Sequence, residues 1–212
     1  MISIILFSIL LFWNEVRGER AICLRYNGSG FSQYSMNNAD ISERATYKLT
    51  FKTTAEDGLL LFAKGSHDYE ALFIRDGILH YFLFNPTPHG SGGTFGGQFH
   101  SNHRVNNNTW ITVEVFRNKE PRRERFEKLT KTGLIITSED GKKERHVSTG
   151  RREGIQIIPP VFIGGYRENL GRGGEKFKGI IKDVHEKVTN YVFKEPVLLG
   201  GKRCVGAEVP AQ

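Results

Sequence analysis

The sequence predicts an all-β fold, an antiparallel β-sandwich or jelly roll. Three observations carry that expectation: short runs alternate apolar and polar residues with a period of two, two Asp-Gly pairs separate such runs, and no stretch has the pattern of an amphipathic helix of three turns. The length of 212 residues suits a single domain with room for a sizeable core. With 38% apolar, 11% aromatic and 25% charged residues, the composition excludes disorder for most of the chain. Two cysteines are too few for a small disulfide-built scaffold and cannot form a Cys₂His₂ or Cys₄ zinc module.

In chain order, residues 1–12 form an apolar run well short of the ~20 residues that a spanning helix needs. Val16 and Gly18 follow at the two positions a signal peptidase inspects, so residues 1–18 read as a secretory signal peptide and 19–212 as one mature domain. Asn27-Gly28-Ser29 and Asn107-Asn108-Thr109 are N-glycosylation acceptors, which suits an extracellular protein. The segment 45–52 alternates Ala45, Tyr47, Leu49 and Phe51 with threonines and lysines, one face for a core and one for water. Residues 58–63 form a continuous apolar run, as in a strand buried on both faces. The runs 69–75 and 78–84 flank Asp76-Gly77, the strongest local hairpin signal because both turn residues tolerate φ > 0. Residues 110–116 alternate again, 134–138 and 143–147 flank Asp140-Gly141, and 161–163 and 177–184 complete the set. The span 85–108, with Pro86, Pro88 and a glycine-rich run at 90–97, reads as one long irregular loop.

Chemistry is harder to place. The glycine-rich run lacks the Lys-Ser/Thr and the following helix of a phosphate cradle. His100 and His103 have metal-compatible spacing and His89 lies nearby, but no acid or cysteine completes a site, so they read as loop histidines. A sandwich-fold glycan hydrolase needs two carboxylates facing one sugar, whereas Glu114 has Thr112 and Phe116 as its same-face neighbours. No Gly-x-Ser-x-Gly elbow occurs either, so a non-enzymatic reading is preferred. Net charge is +7, and residues 117–152 carry +6 of it, twelve Lys/Arg against six acids. This segment, with Arg117, Arg122, Arg123, Arg125, Lys142, Lys143 and Arg145, is the candidate site for an anionic glycan such as heparan sulfate.

The ordered set of segments resembles a laminin G-like (LNS) domain, particularly those of neurexins. The matching stretches are Tyr26-Asn27-Gly28-Ser29-Gly30-Phe31, Leu49-Thr50-Phe51-Lys52-Thr53, Asp57-Gly58-Leu59-Leu60-Leu61 and the run from Asp68 to Gly77. Asn108-Thr109-Trp110, Val113-Glu114-Val115, Phe162-Ile163-Gly164-Gly165 and the run from Phe177 to Val184 follow in the same order. The resemblance implies a laminin G-like/concanavalin-like jelly roll of about a dozen or more antiparallel strands. It implies a secreted module for cell adhesion or for receptor and matrix recognition, with a partner-binding rim around a calcium site. The ligand positions fall on Asp68, Asn85, Gly154 and Gln156. Gln156 stands where relatives carry Asp or Asn, and its neutral amide predicts weak calcium binding or none. Ile180 stands where many relatives have a cysteine that bridges to the position of Cys204. Because the termini of this fold lie close together, the resemblance makes a Cys23–Cys204 bridge plausible, with separate partners on other chains as the alternative.

Overall fold

The structure, a computed structural model, describes residues 22–86, 97–119, 129–151 and 155–205. The leader at 1–18, most of the glycine-rich run with His89, Arg122, Arg123, Arg125 and Gly154 lie outside those residues. The described residues hold fourteen strands and no helix. In the first sheet the order is β10 (Lys143–Arg151), β9 (Leu129–Ser138), β8 (Ile111–Lys119), β3 (Ala45–Lys52), β12 (Lys178–Glu186), β1 (Cys23–Asn27) and β14 (Lys202–Arg203), with β13 (Tyr191–Val192) also on β12. The second sheet runs β2 (Ser32–Tyr34), β11 (Ile157–Ile163), β4 (Gly58–Gly65), β5 (Tyr69–Arg75), β6 (Ile78–Phe84) and β7 (Gln98–Arg104). All strand pairings are antiparallel. The two inner faces share one core that includes Tyr47, Leu49, Phe51, Leu61, Leu72, Tyr81, Val113, Ile163 and Phe177. This is the jelly-roll sandwich that period-two patterning requires once each sheet has an apolar face to cover.

Local sequence explains most of the pairing. Asp76 and Gly77 both have positive φ, 52° and 74°, so the β5–β6 turn has the twist that a two-residue hairpin needs. At the second Asp-Gly only Gly141 is left-handed, at φ 82°, and its N–H bonds Ser138 O at 2.9 Å, giving a longer turn between β9 and β10. The apolar run of β4 is buried on both faces because a second cluster, Leu59, Phe62, Ala71, Phe162 and Tyr166, covers the outside of its sheet.

Two expectations need correction. The span 85–108 is not all loop: β7 pairs with β6, burying Phe99 and Ser101 between outward Gln98, His100 and Asn102. Its alternation is polar against polar except at Phe99, so the period-two signal was faint. Arg117 is not a surface cation. On β8 it points into the sandwich with no exposed side chain, and its Nε lies 3.1 Å from Glu70 Oε2 of β5. Ala45 of β3 is its register partner, and the carbonyls of Ile41 and Ser42 accept from its guanidinium. Tyr81 completes the buried group, donating to Glu70 Oε2 at 3.0 Å. An unpaired charge here would be costly, and the several N–H donors of arginine reach the carboxylate and both carbonyls at once.

Cys23 and Cys204 form a disulfide with Cα atoms 5.4 Å apart, and Cys204 N–H donates to Cys23 O at 3.0 Å. The bond fastens β1 to the residue after β14, so it joins the two ends of the described chain.

Candidate functional site

Three loops bring Asp68, Asn85 and Gln156 together at one rim of the sandwich. Asp68 precedes β5, Asn85 follows β6 and Gln156 precedes β11, so the β5–β6 hairpin and the β4–β11 pairing set their spacing. The Asp68 carboxylate is the hub: Asn85 Nδ2 donates to Oδ1 at 2.7 Å and the Gln156 backbone N–H donates to Oδ2 at 2.9 Å. Asp68 and Asn85 are buried, whereas Gln156 is exposed. Gly65 permits this closeness. Its own N–H bonds Asp68 O at 2.8 Å, and a Cβ there would sit 1.7 Å from the Gln156 carbonyl oxygen.

The donor set fits calcium poorly. Ca²⁺ takes six to eight oxygens and favours charged ones. The three described positions supply one carboxylate, and both of its oxygens already accept from N–H groups that cannot ligate a cation. Among the described residues no three His, Cys, Asp or Glu side chains gather as a metal site.

Of the basic segment, the structure places Lys142, Lys143 and Arg145 on the exposed β9–β10 hairpin. Lys142 pairs with Asp140 at 2.9 Å, and Lys143 and Arg145 share one face of β10. Sequence reading missed a second cationic cluster on the outside of the first sheet. There Trp110 stands with Lys182 Nζ 4.4 Å and Lys52 Nζ 5.6 Å from its ring, in a cleft that Lys178 also lines. These lysines come from β3 and β12, strands paired in space but far apart in sequence, so no charge run announced them. The sequon asparagines Asn27 and Asn107 are exposed, and each accepts a hydroxyl hydrogen bond of 2.6 Å from its own Ser29 or Thr109.

The laminin G domain profile matches residues 51–187, more than half of the chain. The chain belongs to the laminin G domain family. This laminin G fold is similar to the LG1-3 region of the laminin alpha2 chain, with a TM-score of 0.66 and 16% identity over 86% of this chain and 34% of that one. It is similar to domains LG4-5 of the mouse laminin alpha1 chain at TM-score 0.65 and 17% identity, covering 86% of this chain and 46% of that one. A pentraxin from Limulus polyphemus has a TM-score of 0.50 and 13% identity over 79% of this chain and 76% of its own. The chain thus spans a third to a half of the laminin chains it matches. Comparison with curated protein sequences finds no match. Laminin G domains are extracellular binding modules, and among the described residues no helix is long and apolar enough to cross a membrane.

Proposed function

We propose that this laminin G domain is secreted and recognises a cell-surface or matrix protein through its rim loops. The observation that carries the reading is the convergence of three loops on the Asp68 carboxylate, which holds an otherwise variable edge of the sandwich in one shape. A preorganised loop surface loses little entropy on binding. The test is capture from extracellular-matrix extract by the wild-type protein and by Asp68→Ala. Loss of the same captured protein in the variant, with melting still cooperative, supports rim recognition; equal capture removes it. The two exposed sequons support passage through the secretory route, and peptide-N-glycosidase treatment of the secreted protein should then lower its apparent mass.

Calcium at this rim is proposed as weak or without effect, because Asp68 is the one charged oxygen donor among the described positions and Gln156 offers only a neutral amide. Calorimetric titration with Ca²⁺ is expected to show little heat, and strong heat lost in Asp68→Ala would reverse this reading.

A second reading, binding of an anionic glycan such as heparan sulfate, is favoured by the exposed Lys143 and Arg145 and by the lysines around Trp110. Heparin chromatography should then show elution above physiological salt, earlier for Lys143→Glu/Arg145→Glu. Elution of the wild type near physiological salt would remove it.

A further inference from the structure

The outer face of the second sheet carries an aromatic pit. Strand register sets Phe62 of β4 beside Ala71 of β5, and Ala71 beside Phe82 of β6. Ala71 is therefore a small floor between two phenylalanines. Tyr69 and Phe73, two positions to either side on the same strand face, stand at its ends. Tyr166 closes the Phe62 side, with ring centroids 4.6 Å apart. The segment after β11 forms the outer wall, where Gly173 approaches Phe73 so closely that a Cβ would lie 2.7 Å from its ring. The resulting cavity measures ≈ 510 Å³, within the range of about 300–1,000 Å³ typical of small-molecule sites.

Charge at the mouth is one-sided. Lys64, Arg75 and Arg172 line the cavity against Glu168. Arg172 is engaged by Asp76, whereas Lys64 is exposed and its ammonium stands 5.5 Å from the Tyr166 ring centroid. The Tyr166 hydroxyl is buried without a hydrogen-bond partner at normal distance, yet it lies near enough to raise the Lys64 pKa. A pyranose would bring a hydroxyl on nearly every ring carbon, each needing a partner once buried. The pit answers with fewer: apolar surface exceeds polar on its walls, where His80 and Gln98 join the charged side chains.

We propose that this pit binds a small organic anion with an apolar ring body, the body held between Phe62, Tyr69 and Phe82 over Ala71 and its carboxylate or sulfonate met by Lys64 at the Tyr166 end. This goes beyond recognition at the rim and stands without it. The test is fluorescence titration of the full folded chain with 1-anilinonaphthalene-8-sulfonate and with its neutral analogue N-phenyl-1-naphthylamine. One saturable site is expected, with the neutral analogue about tenfold weaker, as loss of one charge-assisted contact implies. Ala71→Trp fills the floor and should abolish the site while near-UV dichroism and cooperative melting persist. Should that variant not fold, Lys64→Gln decides the matter, because the side chain reaches solvent: it should bring the sulfonate down to the affinity of the neutral dye. Equal binding by either folded variant and the wild type overturns the proposal, as does equal affinity for the two dyes. Displacement of the dye by saccharides but not by aromatic carboxylates also overturns it, in favour of a sugar.

Discussion

Arg117 shows how much a single side chain contributes when it is taken out of water. Its guanidinium joins the two sheets, reaching Glu70 and the carbonyls of Ile41 and Ser42 with no exposure of its own. Removing one partner strands the other charge in low dielectric, so Arg117→Ala should cost about 3–5 kcal/mol. Replacing both charges by apolar groups of similar volume, Arg117→Met/Glu70→Leu, should recover most of that loss. Urea unfolding of the three proteins checks this, and additive losses in the double variant would show that the pair is not a unit. His80 provides a pH test at the same scale. Burial, helped by Arg75 and His100 and opposed by Asp76, holds its imidazole below the ordinary histidine pKa. Above about pH 6.5 both folded and unfolded chains carry it neutral, so it has no effect on the pH dependence there. As pH falls through that value towards the lower folded pKa, the unfolded chain takes up the proton first and stability declines. Urea midpoints should fall from pH 7.5 to 5.5, and the fall should be smaller in His80→Gln; equal slopes would remove His80 as a cause.

At the scale of elements, the rim depends on how closely β4 and β11 can approach. Gly65 faces the Gln156 carbonyl where no Cβ fits, and the same backbone step delivers the Gln156 N–H to Asp68. Gly65→Ala must push the backbone apart at that point, with an expected loss of about 1–3 kcal/mol, the usual cost of overpacking. The same shift should weaken whatever binds the rim even after stability is matched by temperature. Thermal melting with the capture assay measures both, and an unchanged melting temperature would mean that the loops give way freely. The β5–β6 hairpin was legible because Asp76-Gly77 states its own turn, and β3 was legible from strict alternation. β7 was not, since Gln98, His100 and Asn102 alternate with a buried serine, and that serine earns its place by a hydrogen bond from Leu79 N–H at 3.0 Å rather than by being apolar. The rim triad was legible only through family resemblance. Residues 68, 85 and 156 share no local pattern, and topology alone brings them together. The aromatic pit had no local sign at all, because it exists where Ala71 is small beside neighbours on other strands.

Across the whole molecule, the basic excess reads differently once folded. Arg117 is consumed inside the sandwich, Lys142 by Asp140, while Lys52 and Lys182 gather at Trp110 from strands that sequence order keeps apart. A segment count of charge therefore misplaces part of the surface potential. The chain ends are the other global feature. Cys23 and Cys204 are 181 residues apart in sequence, so their bond closes nearly the whole described chain into one loop. A cross-link of that span removes much of the unfolded chain's freedom, worth about 5 kcal/mol on chain-entropy grounds. It acts little on the native sandwich, where β1 is already held by β12 and β14. Two consequences separate this effect from loss of a packing contact. In Cys23→Ser/Cys204→Ser the urea midpoint should fall by an amount equivalent to several kcal/mol, and the slope of unfolding free energy against urea should rise, because the freed unfolded chain exposes more surface. The folded variant should keep its far-UV and near-UV dichroism. A lower midpoint with an unchanged slope would place the bond's contribution in the native state instead, and an unchanged midpoint would mean that the β1–β12 and β1–β14 pairings alone hold the ends together.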